Sequence, residues 1–274
     1  MNAARRSARA QPPGVRARAA GGAGGRAPSG RAPGRLRAQP PTGVLSLPRP
    51  GALAARALLA GAGGVLLVQA AFAMLVAEAS LVMRVANPPV TALMLYRAAT
   101  TDAPVRPISF VPLRRLPWRV GAMFVAVEDH AFYQHHGIDL QAIHEALRIN
   151  RQLGRIYHGG STITMQLART LFLTPNRTYV RKYFEAIAAL TMETVLSKER
   201  ILELYVNTIE FGKGVYGIKA AAFAHYGKEP ARLTTDQDRR LVTIVASPLF
   251  YDVSNFARRR ALAERYEFLL SVFP

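Results

Sequence analysis

Apolar and polar positions divide the chain into one long apolar run followed by shorter amphipathic segments. The run from Ala57 to Ala77 holds 21 residues, and Gln69 is its only polar side chain. Because roughly 20 apolar residues span the core of a bilayer, the run predicts a transmembrane helix. A cleaved signal sequence is the alternative, but the run is too long for the apolar part of such a sequence and begins far from the N-terminus.

Beyond this run the apolar positions recur at three- and four-residue spacing, which predicts helices. Asp139 is expected to cap a helix that Gly154 ends, and Thr234 with Gln237 forms a capping box. Further helices are predicted at about 178–195, from Ser197 to about Tyr205, and at about 255–270. Strand alternation is scarce and no internal repeat is present, so the pattern predicts an all-α domain over residues 87–274.

The segment before the apolar run differs sharply in composition. Residues 1–56 contain eleven arginines, no lysine and no acid, and are dense in Ala, Gly and Pro. Such a segment cannot bury enough apolar surface to order itself, so we expect a disordered basic tail. A nucleic-acid arm is the usual interpretation of a basic segment. Here the adjoining apolar run favours membrane topology instead, with the tail in the cytoplasm and the chain after Glu78 outside.

Two adjacent acids are the first candidates for chemistry. An apolar helical face runs from Val120 to Val127, and its C-terminal end delivers Glu128 and Asp129. That end of a helix carries partial negative charge, which disfavours an ionised carboxylate and suits a general base. A solvated acidic helix end is the alternative.

A glycine-rich turn and a basic segment follow. Gly159 and Gly160 precede Ser161 and Thr162, either of which can cap a helix, and exposed amides with hydroxyls at a helix N-terminus suit an anion. The turn lacks the lysine and spacing of a nucleotide-binding P-loop.

Arg177, Arg181 and Glu185 lie four residues apart, which predicts one helical face. This face is either a surface salt-bridge ladder or a clamp for a diphosphate.

Taken together, these segments resemble the membrane-bound peptidoglycan glycosyltransferases of family 51, and most closely the monofunctional biosynthetic transglycosylases. The resemblance rests on four motifs in order, over about residues 87–270. They are Glu128–Phe132 with His135 and Gly137, Gly159–Thr164 with Gln166, Arg181–Lys182 with Glu185, and Arg200–Asn207 with Phe211–Gly217 and Ala220–Ala222. The resemblance implies a lysozyme-like glycosyltransferase domain with a small membrane-proximal jaw.

The resemblance also implies an activity and a set of site residues. The activity is inverting polymerisation of lipid-linked disaccharide-pentapeptide (lipid II) into glycan strands, with release of undecaprenyl diphosphate. Glu128 is expected to be the base, and Glu185 to orient the cations or to hold a divalent cation such as Mg at the diphosphate. The expected substrate-binding residues are Asp129, Phe132, His135, Ser161, Thr162, Thr164, Gln166, Arg169, Arg177, Arg181 and Lys182.

The second motif departs from the family pattern at two places. Met165 precedes Gln166 where the family has paired glutamines, and Arg169–Thr170 stands where lysine and asparagine are usual. Arginine replaces a point charge with a planar fork. The loss of one glutamine is expected to remove a sugar or phosphate contact.

Topology and partners follow from the same reading. We expect a single-pass protein of the bacterial inner membrane with its catalytic domain in the periplasm. The expected partners are lipid II, the growing strand, the membrane and cell-wall proteins such as transpeptidases, and no nucleic acid. The chain has no cysteine, and its histidines are too loosely patterned for a protein-ligated zinc. A muramidase-like hydrolase and a catalytically weakened lipid II-binding scaffold are the alternatives.

Overall fold

A computed structural model describes residues 50–101, 105–154 and 159–274, with the side chains of residues 50 and 52 left out. Residues 1–49 of the predicted basic tail lie outside the described residues. Its last residues, from Pro50, belong to the first helix.

The described chain is mostly helical with few strand residues, which confirms the predicted fold class. The helices are α1 Pro50–Met83, α2 Ala92–Thr101, α3 Trp118–Glu128, α4 Leu140–Leu153, α5 Ile163–Phe172, α6 Tyr179–Val195, α7 Lys198–Thr208, α8 Gly217–Tyr226, α9 Thr235–Ile244 and α10 Arg260–Val272. Two short antiparallel strands, β1 Glu210–Gly212 and β2 Val215–Tyr216, lie between α7 and α8. Their few residues explain why no strand pattern is visible in the sequence.

Local capping chemistry sets several helix ends. The Asp139 side chain accepts from the Ala142 amide at 2.8 Å, and Gly154 ends α4 in the left-handed conformation. Thr178 and Ser197 cap α6 and α7, and Thr234 with Gln237 closes the capping box of α9. These caps confirm the boundaries that the sequence predicts, because each polar side chain satisfies an otherwise unpaired amide.

The apolar helix α1 is longer at both ends than the predicted span and does not stand apart from the domain. Residues Leu53–Met83 form one helix long and apolar enough to cross a membrane. Phe72 packs edge-on against Phe184 at 4.9 Å between ring centroids, and the Tyr183 hydroxyl donates to Gln69 Oε1 at 2.7 Å. The polar residue in the apolar run is therefore paired with α6.

The fourth motif holds the fold together. Arg200 donates to the carbonyls of Met83 and Ala86 at 2.7 and 2.8 Å, which pairs a cation with the C-terminal end of α1. The Asn207 amide accepts from the Val111 amide at 2.8 Å and donates to its carbonyl at 2.9 Å. Gly217 has φ +79°, and a Cβ there would lie 2.3 Å from the Asn207 carbonyl oxygen, so no other residue fits.

Helix α5 runs through the core of the domain and carries the second motif. Seven of its ten residues are buried, among them Ile163, Leu167 and Leu171. Helices α6 and α7 pack against it on either side. Because the helix is central, its packing fixes the direction of its exposed side chains. Gln166 and Arg169 point into the cavity that Glu128 also lines.

Candidate active site

Glu128 is the last residue of α3, and its carboxylate lies in the cleft with both oxygens engaged. Oε2 accepts from Gln166 Nε2 at 2.8 Å, and Oε1 accepts from Arg265 Nη2. Gln166 is itself held by the Tyr205 hydroxyl, which donates to its Oε1 at 3.1 Å. Burial raises the pKa of Tyr205 well above its ordinary value, with the Glu128 carboxylate adding to the effect. Tyr205 therefore stays a neutral donor and keeps Gln166 in one orientation.

Arg265 is the site residue that motif reasoning missed. It lies on α10, 137 positions from Glu128, and also donates to the carbonyls of Val127 and Val242 at 3.2 and 3.1 Å. Its guanidinium thus meets the C-terminal end of α3 and offsets the partial negative charge that the sequence places there. The sequence predicts the helix that carries Arg265 but gives no sign that this residue reaches the cleft. Only the packing of α10 brings it there.

Asp129 turns away from Glu128 and joins the first motif to the second. Its oxygens Oδ1 and Oδ2 lie 2.9 and 3.0 Å from His135 Nε2, and Oδ2 also accepts from the Ile163 amide at 2.9 Å. The carboxylate thereby meets the positive end of α5. The Thr162 hydroxyl donates to the Gly137 carbonyl at 2.6 Å and accepts from the Met165 amide at 3.1 Å. Each of these side chains is thus paired within the protein. They hold the first and second motifs together, and the residues are Asp129, His135 and Thr162.

Two predicted substrate contacts are corrected by their burial. Phe132 and Thr164 are fully buried, so neither can touch a substrate in this structure. The Thr164 hydroxyl donates to Glu193 Oε1 at 2.6 Å, and Lys198 donates to the same oxygen at 2.7 Å. The Lys198 ammonium also lies 4.5 Å from the centre of the Phe132 ring. These contacts lie in the interior of the domain, where they support the first and second motifs.

The side chain of Met165, the first departure in the second motif, does not reach the cleft. Its side chain is buried in the core, 2 % exposed. The expectation that the missing glutamine removes a sugar or phosphate contact is therefore not supported, because position 165 faces inward. Thr170 is also buried, and its hydroxyl donates to the Gln166 carbonyl one turn earlier at 3.0 Å.

A cluster of cations lies on the other side of Gln166; we call it the cation cluster. Its members are Arg169, Arg177, Arg181 and Lys182. Glu185 is buried beneath it and pairs with Arg181 and, at 3.0 Å, with Lys182. Lys182 also donates to the Ser161 hydroxyl, which keeps Ser161 at the cleft surface. One carboxylate against four cations leaves a surplus of positive charge.

Burial and the neighbouring positive charges lower the pKa values within the cluster. Burial lowers the pKa of Arg169 below its ordinary value, and Arg177 lowers it further. Burial, then Arg169, then Arg181 lower the pKa of Lys182 to about 8. Arg169 has no hydrogen bond or ion pair with any residue in the part of the chain that the structure describes. A half-buried guanidinium without a partner marks a place for an anion.

Arg177 reaches the cluster by a different route from the one that the spacing predicts. Thr178 caps α6, so Arg177 precedes the helix and does not share a helical face with Arg181 and Glu185. The turn before the cap brings it to the cleft all the same, and it lines the same cavity as Glu128 and Arg169. The prediction that these residues come together is right, and the predicted geometry is wrong.

Two cavities meet at Glu128. One, of about 690 Å³, is lined by Gln166, Arg169, Arg177 and Arg265. The other, of about 770 Å³, is lined by the residues after Glu128, by the inner face of α4 and by Gly159–Thr162. The carboxylate therefore lies between a cationic chamber and one that holds imidazole, amide and carboxyl groups.

The described residues do not form a metal site by themselves. Among the described residues no group of three or more His, Cys, Asp or Glu side chains is close enough to hold an ion. Both oxygens of Glu185 face cationic side chains, which disfavours a further cation there. Glu185 is therefore better suited to orienting the cluster.

Comparison with known proteins agrees with the motifs and the geometry. A family described as Transglycosylase matches residues 99–272. The chain is 40% identical over 165 residues to the biosynthetic peptidoglycan transglycosylase of Dechloromonas aromatica, covering 60% of this chain and 71% of that protein. It is 40% identical over 190 residues to the protein of that name from Caulobacter vibrioides, covering 68% and 82%. The chain belongs to the transglycosylase family, and the resemblance found in the sequence is confirmed.

Proposed function

We propose that this protein polymerises lipid II into peptidoglycan glycan strands by inverting glycosyl transfer and releases undecaprenyl diphosphate. The observation that carries the proposal is the position of the Glu128 carboxylate, at the junction of a cationic chamber and a second chamber of similar size. Glycosyl transfer from a lipid diphosphate needs a base at one side of the reacting carbon and cations at the other.

Glu128 acts as the base. It takes the proton from the 4-hydroxyl of the acceptor sugar while that oxygen bonds to the anomeric carbon of the donor. Gln166 and Arg265 hold the two carboxylate oxygens. A fixed carboxylate needs little reorganisation when the acceptor arrives, which is how positioned groups lower a barrier.

The cation cluster receives the leaving group. As the bond between the anomeric carbon and the diphosphate oxygen breaks, negative charge grows on the diphosphate. Arg169 and Arg177 line the chamber beside Glu128, and their charge neutralises the diphosphate without a proton transfer. Glu185 holds Arg181 and Lys182 in place. A divalent cation, if used, would arrive with the diphosphate.

The apolar helix suggests how enzyme and lipid substrate meet. We propose that α1 anchors the protein in the bacterial inner membrane, with the basic tail in the cytoplasm and the catalytic domain in the periplasm. Tyr179 and Val180, at the start of α6, are exposed beside the cation cluster, and α6 packs along α1. Such a surface would keep the cluster close to the membrane.

Neither alternative gains support from the site. A hydrolase of a polymeric wall has no need for a surplus of cations beside the catalytic carboxylate. A weakened scaffold would follow if the departures in the second motif altered the cleft, but Met165 lies in the core. The direct test is incubation of the purified protein with labelled lipid II, with and without a divalent metal. Longer glycans support the proposal, and shortening of purified sacculi would support the hydrolase.

We predict that donor use falls as pH rises through about 8, because Lys182 loses its charge there. Its lowered pKa means that the ammonium is present below that pH and is neutral above it. Initial rates at low lipid II concentration follow the free enzyme, so kcat/KM should decline on the alkaline side. Lys182→Arg should remove that decline, since arginine keeps its charge throughout. An unchanged alkaline limb in this variant would show that Lys182 does not control it.

A charge in the exposed face of α1 should detach the protein from membranes. Leu66 is exposed in the middle of the predicted span. An arginine at a helix centre costs about 2.5–3.5 kcal/mol on insertion, so Leu66→Arg should lower the membrane-bound fraction measured by flotation. Leu270→Arg, at an exposed position of α10, is the matched control. Equal flotation of the two variants would contradict a membrane-spanning α1.

A further inference from the structure

A second groove opens on the opposite side of α3 from the cation cluster, and the proposed reaction makes no use of it. We call it the side groove. It has a volume of about 880 Å³ and is mostly apolar, with Trp118 and Tyr133 among its lining residues. Trp118 is 77 % exposed and Tyr133 is 58 % exposed. An apolar groove with exposed aromatic side chains and a polar rim is typical of a binding surface.

The side groove adjoins the catalytic cavity. Ala126 and His130 line the side groove and also the 770 Å³ cavity that contains Glu128. His130 is exposed between the two, so a ligand can extend from one into the other. From Ala126 the groove follows α3 back to Trp118, eight residues or about 12 Å at the rise of an α-helix.

Its position relative to α6 argues against a lipid as the occupant. The cation cluster lies in the first turns of α6, and the same end of α6 contacts the middle of the apolar helix through Gln69. Ser197 and Arg200, which line the side groove, follow the other end of α6, about 22 Å further along. Arg200 there binds the chain just after α1 ends. With α1 spanning the membrane as proposed, the groove lies on the side away from the bilayer.

The polar groups at the rim suit a sugar polymer with many hydroxyl and amide groups. The Glu199 carboxylate is exposed at the groove and has no hydrogen bond or ion pair with any residue that the structure describes. It is free to accept from hydroxyl or amide groups, while the two rings offer apolar faces for the C–H surface of a sugar ring.

We propose that the side groove binds the growing glycan strand, a polymer of N-acetylated amino sugars, beyond the disaccharides that react at Glu128. This rests on the proposed function. The groove retains the strand between additions, so it governs the length of product made per encounter.

Trp118 is the only tryptophan in the chain, so its fluorescence reports on this groove alone. Titration of the full-length protein in detergent with soluble, peptide-free glycan oligomers should change the emission and saturate. Glu199→Gln should weaken that binding. A protein partner in the groove would leave the emission unchanged on titration with oligomers, which would overturn the proposal.

Product length is the second measurement. An aromatic contact contributes ~0.5–1.5 kcal/mol, so Trp118→Ala should shorten the mean product about two- to tenfold, and Trp118→Phe should restore it. Phe223→Ala removes an exposed aromatic that lines none of the cavities described above and should make strands of wild-type length. Absence of polymer from the wild type would count against the proposed function itself. Polymer of normal length from Trp118→Ala, with no fluorescence change in the wild type, would overturn only the groove assignment.

Discussion

Glu128→Gln is expected to reduce glycan polymerisation from lipid II by ~10²–10⁴, the usual effect of removing a positioned general base. The substitution keeps the size of the side chain and the hydrogen-bond reach but removes the group that takes the proton. Gln166 and Arg265 both donate to the carboxylate in the wild type. The NH2 group of the new glutamine would face either the Gln166 amide or the Arg265 guanidinium, both of which are donors. A modest loss of thermal stability should therefore accompany the loss of rate.

The measurement is the initial rate of strand formation, with the melting temperature recorded for each variant. Glu267→Gln, at an exposed position of α10, makes the same chemical change outside the cleft and should leave both values unchanged. A Glu128→Gln protein that folds and retains more than about a tenth of the wild-type rate would remove Glu128 from the role of base.

Arg169→Ala is expected to lower kcat/KM for lipid II by more than tenfold. Charge-assisted hydrogen bonds at a shielded site contribute ~1.5–3 kcal/mol each, whereas an exposed ion pair contributes ~1 kcal/mol at most. Arg169 has no partner among the described residues and its positive charge lowers the pKa of Lys182. The variant should therefore be no less stable than the wild type, and its alkaline limb should move to higher pH.

Two comparisons separate a phosphate contact from a structural arginine. Arg169→Lys should recover most activity if a point charge is enough and little if the planar fork binds two oxygens. Arg232→Ala, at an exposed position away from the cleft, controls for the loss of one positive charge. A fall in melting temperature with little change in kcat/KM for Arg169→Ala would contradict the donor-site role.

Much of the local structure of this protein could be predicted because it depends on residues close in sequence. The helix starts follow from the sequence because each cap satisfies an amide three positions away, as at Asp139, Thr178, Ser197 and the Thr234–Gln237 box. The motifs likewise identified Glu128 and the cations beside it. Where a motif residue faces was not predictable, since packing buries Thr164 and Phe132 and leaves Gln166 partly exposed.

The sequence by itself determined the helical class, the apolar helix and the family, and it singled out Glu128 as the proposed base, because each depends on periodicity, capping or contiguous motifs. Only the tertiary structure decided which motif groups reach the cleft and which lie under it. It also brought Arg265 to Glu128 across 137 positions and joined the Glu128 cavity to the groove at Trp118. Those relations depend on how α10, α3 and α6 pack, and long-range packing leaves no periodic mark in the chain.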